Sequence, residues 1–282
     1  MNNPSLAVTG STGHLGAIVA RRLANEGAAL RLLSRNPQKA PALAGAVAVQ
    51  SSYADDDVTR ASLVGVDVLF MVSGAESADR LDQHRAFIDA AVSAGVRHIV
   101  YTSFAGAASD AVFTLARDHW GTEQYIRASG ISYTFLRNNF YADVLPEFVG
   151  EDDVLRGPAG DGRLAPVTRA DVARVAAAVV KEPAAHADAT YTLTGPEALT
   201  LTEVTRIISE VSGRSVTYHN ETIEEAYASR RRLWNVPQWQ YDAWVSTYTA
   251  IAAGDLADVT NDVRAVTGHA PESLRQYLQS RT

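Results

Sequence analysis

The run Leu6-Ala7-Val8-Thr9, followed at once by Gly10-Ser11-Thr12-Gly13-His14-Leu15-Gly16, constrains this chain more than any other feature. An apolar β-prone run, three glycines at intervals of three, and a helical stretch from Ala17 to Glu26 closed by Gly27 read as one strand–turn–helix unit. Gly10 permits a tight turn out of the strand, Gly13 lets the backbone approach a ligand, and Gly16 lets the helix lie close on the sheet. Such a helix start presents free N–H groups and the positive end of the macrodipole, which suit a pyrophosphate. The spacing is Gly-x-x-Gly-x-x-Gly, not the commoner Gly-x-Gly-x-x-Gly, and a tight turn without a ligand is the bland alternative. Its position at the head of a series of βα units favours dinucleotide binding.

That series continues through strands expected at Leu30 to Ser34, Val47 to Gln50, Val66 to Val72, His98 to Ser103 and Tyr133 to Arg137. Most are apolar throughout, as strands covered on both faces should be. Between them, Leu81, Phe87, Ile88, Ala91 and Val92 space a helix over Asp79 to Ala94, with Gly95 as its C-cap, and a second helix spans Leu115 to Ala128 before Gly130. The fold class is therefore α/β: a doubly wound parallel sheet of the Rossmann type, with a smaller C-terminal α/β lobe. Residues 1–150 make the nucleotide-binding part. Residues 151–282 make the smaller mixed lobe, interleaved with the first and laid over the C-terminal edge of the sheet.

In that second half, Thr168 to Asp171, Thr200 to Glu203 and Thr222 to Glu225 resemble capping boxes, the first opening a helix to Val180. Strands fit Tyr191 to Thr194 and Val216 to His219, and Trp234, Trp239, Tyr241, Trp244 and Tyr248 crowd one helical region.

With no cysteine among 282 residues, disulfide frameworks, thiolate metal sites and cysteine nucleophiles are excluded, and no metal-ligand set is read. A formal charge of −7 gives no electrostatic footprint for nucleic acid, and Arg230-Arg231-Arg232 after Glu224-Glu225 reads as a solvated helix face. Met1 to Ser5 carry no secretory signal pattern and no long apolar run suggests a membrane span, so a cytoplasmic protein is expected. A homodimer is left open.

In an NAD-selective site a carboxylate roughly 20 residues past the glycine loop receives the ribose 2′-hydroxyl. Here the second strand ends Leu32-Leu33-Ser34-Arg35-Asn36, with a guanidinium in place of the acid. Arg35 can pair with a 2′-phosphate and Ser34 and Asn36 add donors, so NADP(H) is expected ahead of NAD(H). A solvated loop arginine is the alternative.

These residues resemble the NmrA-like group of the atypical short-chain dehydrogenase/reductases. The likeness extends over nearly the whole chain and is most specific at Leu6 to Gly16, Ser34 to Ala40, Gln83-His84 through Tyr101-Thr102-Ser103, Ser129 to Tyr141, and Gly160 to Arg163 with Thr168 to Asp171. It implies NADPH on the loop of Gly10, Ser11, Thr12, Gly13, His14, Leu15 and Gly16, Arg35 at the 2′-phosphate, and Ser73-Gly74 beside the ribose. It also implies that Asn138, Asn139, Phe140 and Tyr141 line the nicotinamide side. Ser52 departs from the pattern, which has an Asp near the adenine, and puts adenine contacts at Ser52-Tyr53 in doubt.

Many reductases of the wider family use a Tyr-x-x-x-Lys pair to move a proton. This chain has only Lys39 and Lys181, and the residues four places earlier are Arg35 and Ala177, so no such pair exists. The resemblance sets His119 at the lysine position and Leu115 at the tyrosine position. His119 is either a ribose partner or proton source, or a satisfied helix histidine; Ser103 and Asn139 are further candidates for proton movement. Without the acid, the chemistry narrows to hydride transfer onto a flat conjugated acceptor such as a quinone, which is electrophilic enough to collect its proton from water. Phe104, Phe140, Tyr141 and Phe148, with Trp234 or Trp239, are candidate walls for that acceptor, ordinary packing being the alternative. A non-catalytic NADP(H) sensor of the same family is the rival reading; sugar-nucleotide epimerisation, which needs the same absent pair, fits poorly.

Overall fold

The computed structural model describes residues 4–281; residues 1–3, the head of the segment read for a leader, lie outside the described residues. The chain forms two compact units, each assembled from three segments. Among the described residues the first takes 4–103, 118–137 and 169–191, the second 104–117, 138–168 and 192–281. The division thus differs from a single cut at residue 150: a segment from the second half returns to the first unit.

In chain order the first unit carries β1 (Leu6–Val8), α1 (His14–Asn25), β2 (Leu30–Ser34), β3 (Ala46–Gln50), α2 (Asp57–Leu63), β4 (Val68–Met71), α3 (Arg80–Ser93) and β5 (His98–Phe104). It continues with most of α4 (Thr114–Ser129) and β6 (Ser132–Asn138), then α5 (Arg169–Lys181) and the start of β9 (Ala189–Leu193). The sheet order is β3-β2-β1-β4-β5-β6-β9, with parallel pairing from β3 across to β5. The order reverses between β1 and β4, the place where open α/β sheets bind ligands beyond their strand ends. The strand expected near Tyr191 is therefore not part of a separate lobe; it is the seventh strand and edge of this sheet.

Burial explains most of these elements. β2, β4 and β5 are almost wholly inaccessible, whereas the edge strand β3 is half open, with Val47 48% exposed despite its apolar sequence. One core cluster gathers Leu33, Leu63, Leu69, Phe87, Ile88, Ile99, Tyr101 and Phe135. α3 buries Phe87, Ile88 and Ala91 as its apolar spacing suggests, but the inward face also takes Arg80, His84 and Ala90, while Val92 is exposed. β4 stops at Met71 because the Val72 N–H donates to the Thr9 side chain.

The second unit contains β7 (Val154–Gly157), β8 (Arg163–Leu164), β10 (Leu199–Thr200), α6 (Leu201–Ser212), β11 (Thr217–Asn220), α7 (Ile223–Leu233), α8 (Gln238–Ala253), α9 (Asp262–Thr267) and α10 (Leu274–Gln279). β7 pairs parallel with β11, and β8 antiparallel with β10. Thr200 with Glu203 and Thr222 with Glu225 form reciprocal capping boxes on α6 and α7. Leu145, Leu155, Leu164, Val204, Ile208, Tyr248 and Ile251 make this unit's core. The basic triplet does not form one solvated face: Arg230 is buried, paired with Glu221 at 2.9 Å and set over the Tyr248 ring, while Arg231 and Arg232 are exposed. Trp234 caps the end of α7, edge-on to Trp244 of α8. No helix among the described residues is long and apolar enough to cross a membrane.

Candidate functional site

The glycine turn has the form its sequence requires. Gly10 adopts φ +60°, and Gly13 donates to the Gly10 carbonyl at 2.9 Å. A Cβ on Gly16 would lie 2.3 Å from the Gly10 carbonyl oxygen, a backbone atom that cannot yield. α1 begins directly after Gly13, three residues earlier than the helical composition suggests, with no side chain capping its first turn. Its leading N–H groups are therefore available to an anion.

These groups open into a cavity of about 320 Å³. Of the expected cofactor residues, Gly10, Thr12, Gly13, His14, Leu15, Gly16, Arg35, Ser73 and Gly74 line it together. Ser11 does not; it is fully buried, with its hydroxyl directed to the Leu33 carbonyl at 3.4 Å. Arg35 is exposed, and the Ser34 Oγ beside it is buried without a hydrogen-bond partner. Among the described residues that line the cavity there is no Asp or Glu, although the chain as a whole is acidic. Ser51, Ser52 and Tyr53 lie on the wall as well, Tyr53 with its hydroxyl bonded to Thr9 and to the Val72 carbonyl and its ring tilted on Phe87. Burial raises the Tyr53 phenol above the ordinary tyrosine range.

His119 and Ser103 are absent from that lining and belong to a buried polar network of the same unit. Arg80 donates to His119 Nε2 at 3.0 Å, and because a guanidinium cannot accept, the ring proton must sit on Nδ1, 3.0 Å from the Tyr101 hydroxyl. Burial, reinforced by the Arg80 charge, holds His119 neutral, its pKa well below the usual imidazole value. Ser103 donates to Glu123 at 2.6 Å; Glu123, fully buried, also receives both arms of Arg137, at 2.8 and 2.6 Å. Neither side chain holds a loosely bound proton.

The remaining candidates belong to the second unit. Asn139 is buried, its amide donating to the Leu256 carbonyl at 2.9 Å and its oxygen accepting from the Phe140 N–H at 2.8 Å. Asn138 donates to the Tyr141 hydroxyl at 3.2 Å, and its own amide oxygen is buried without a partner. Phe104, Phe140, Phe148 and Tyr248 form a chain of ring contacts with centroids 5.6 to 6.3 Å apart. Trp239 lies at the head of α8.

Sequence reasoning missed Arg80 and His84. Their signal was two polar residues four apart, in phase with Phe87 and Ala91 on a helix whose inner face is otherwise apolar.

A mostly parallel seven-stranded sheet, with an uncapped glycine turn opening onto a cavity where the strand order reverses, defines a Rossmann-type dinucleotide-binding protein. The NmrA-like family model matches residues 2–238, and the chain belongs to that family. It is 36% identical over 280 residues to quinone oxidoreductase 2 of Escherichia coli, covering 97% of both chains. The solved structure of an NADPH-dependent quinone oxidoreductase from Escherichia coli complexed with NADPH superposes with a TM-score of 0.88 at 34% identity, over 98% of this chain and 99% of that one. The Citrobacter sp. triphenylmethane reductase complexed with NADP(H) does so with a TM-score of 0.87 at 30% identity, over 99% and 100%.

Proposed function

We propose that this chain transfers hydride from NADPH to a quinone or a similar flat conjugated acceptor, with the cavity at the head of α1 as its dinucleotide site. Its relatives make it an NAD(P)H-dependent oxidoreductase in the broader sense. The observation that carries the reading is the cavity wall: an uncapped helix start, the exposed Arg35, the unpartnered Ser34 hydroxyl, and no carboxylate. The first-turn N–H groups after Gly13 would hold the pyrophosphate, and Arg35 with Ser34 the 2′-phosphate. Bound there, NADPH supplies a hydride from its dihydronicotinamide ring.

The side chains expected to move a proton are already committed. His119 has both nitrogens engaged, the Ser103 proton goes to Glu123, and the Asn139 amide is bonded at both ends. Their proposed part is to fix the surrounding backbone. The acceptor takes two electrons and one hydrogen as hydride, and its remaining proton from water, a route open to quinones and closed to simple ketones. In the second unit, Phe104, Phe140 and Phe148 offer ring faces suited to a planar acceptor, and Asn138, Phe140 and Tyr141 keep the nicotinamide-side part implied by the family.

The test is to titrate the protein with NADPH and NADH, then follow loss of the reduced-nicotinamide absorbance with menadione and a naphthoquinone series. Turnover with NADPH ahead of NADH, with the preference lost in Arg35→Ala, is the expected result. Absence of NADPH oxidation across a broad quinone and dye panel would overturn the acceptor assignment, and tight binding without turnover would favour a sensor.

A further inference from the structure

One stretch of the cavity lining is the segment from Val72 to Ala75, which leaves β4 beside the glycine turn and reaches α3 without regular structure. Such a segment should be loose, since no neighbouring strand or helical ladder pairs its backbone. Instead, side chains take its polar groups one after another. The Val72 N–H donates to Thr9 Oγ1 at 2.8 Å, the Ser73 N–H to Thr102 Oγ1 at 2.7 Å, and the Gly74 N–H to His84 Nε2 at 2.8 Å. On the acceptor side, the Val72 carbonyl receives the Tyr53 hydroxyl and the Gly74 carbonyl receives Arg80 Nε at 3.1 Å.

Gly74 is the residue held from both ends, and both holders, Arg80 and His84, stand one turn apart on α3. The tautomer of His84 is dictated from two sides. The Gly74 N–H can only donate, so Nε2 carries the lone pair. Thr122 spends its hydroxyl proton on the Asp118 carbonyl at 2.7 Å, so its oxygen must accept from His84 Nδ1 at 2.8 Å. Burial, with the Arg80 charge behind it, drives the His84 pKa down to about 3, so the ring stays neutral at any working pH.

We infer that His84 and Arg80 are positioning residues for the dinucleotide, acting through the Gly74 peptide they clamp. With the N–H groups of Val72, Ser73 and Gly74 all turned into side chains, these three residues have no backbone donor to offer a phosphate. They suit a donor-bearing part of the ligand, the hydroxyls of a ribose, while the neighbouring glycine turn supplies the anion site. The inference rests on the proposed reading of this cavity as the dinucleotide site.

The acceptor geometry supplies the test. In His84→Gln the amide oxygen reaches the place of Nε2 and can still accept from Gly74; in His84→Asn it reaches only as far as Nδ1. Cofactor binding would be measured by NADPH fluorescence, with thermal unfolding alongside and kcat and KM taken with menadione. His84→Asn is expected to weaken NADPH binding about tenfold and to raise the KM for NADPH in step, the loss falling on that KM and not on kcat, and His84→Gln to restore binding within about threefold. Thr122→Val, which removes the partner that fixes the tautomer, is expected to weaken binding about threefold, and it decides the question if His84→Asn does not unfold cooperatively. A folded His84→Asn with unchanged affinity overturns the inference. So does a His84→Gln as weak as the Asn variant, which would make the loss one of packing alone. Failure of the unsubstituted protein to bind NADPH would sink the cavity reading itself.

Discussion

Gly10 to Gly16 and Val72 to Ala75 face one cavity and reach their shapes by opposite routes. The first is shaped by what it lacks: with no side chain at Gly16, α1 lies against the Gly10 carbonyl, and the turn closes on its own backbone. The second is shaped by what other segments bring to it, from Thr9 just past β1, the loop after β3, β5 and α3. A backbone-built wall tolerates no added Cβ but is indifferent to distant substitutions; a wall held by side chains is vulnerable to the loss of any one holder. The same contrast extends to Glu123, which anchors Ser103 at the end of β5 through a bond closed across 20 residues.

The sharpest way to break that contrast is Glu123→Ala. It strips a fully buried carboxylate from Arg137 and leaves the Ser103 hydroxyl without its acceptor, and should cost about 4 kcal/mol in denaturant unfolding. A loss under 1 kcal/mol would show that the buried network is not what holds this side together. Gly16→Ala drives a Cβ into backbone and should cost about 3 kcal/mol while abolishing NADPH binding. Retained affinity there would mean that the turn is not the anion site. Arg35→Ala leaves folding untouched, since Arg35 is exposed, and should weaken NADPH about thirtyfold with NADH unchanged.

A smaller, graded effect comes from pH. His84 and His119 both titrate below their ordinary value in the folded chain, so the unfolded chain binds more protons as pH falls below about 6.5. Stability is then full above that value and declines toward the folded pKa, which for His84 is about 3. Each such histidine contributes a slope of about 1.4 kcal/mol per pH unit, and His84→Gln should remove one histidine's share between pH 6.5 and 4.5. An unchanged slope in unfolding titrations would contradict a buried neutral His84.

The glycine turn, Arg35, the βα alternation and the two capping boxes at Thr200 and Thr222 were legible because each is written in residues that are neighbours along the chain. Where reading along the chain failed, the reason was contact between distant segments. The apolar spacing of α3 did not reveal that Arg80 and His84 turn inward, because their burial is offset by hydrogen bonds to Gly74, Thr122 and His119 that have no local signature. His119 was open to two readings until its partners Arg80 and Tyr101 were in place. Arg230 looked solvated because its neighbours are charged, yet Glu221 and the Tyr248 ring make its burial tolerable.

By itself, then, the chain determined a dinucleotide-binding α/β fold and the place of its glycine turn, since backbone freedom at Gly10 and Gly16 and the period of apolar residues are local properties. It also excluded the Tyr-x-x-x-Lys acid outright. Only the tertiary structure decided the course of the seventh strand, the three-segment make-up of each unit, and which polar side chains are spent on holding the cavity wall. Those outcomes depend on which donor meets which acceptor across the sheet, and a buried polar group is affordable only after its partner has arrived.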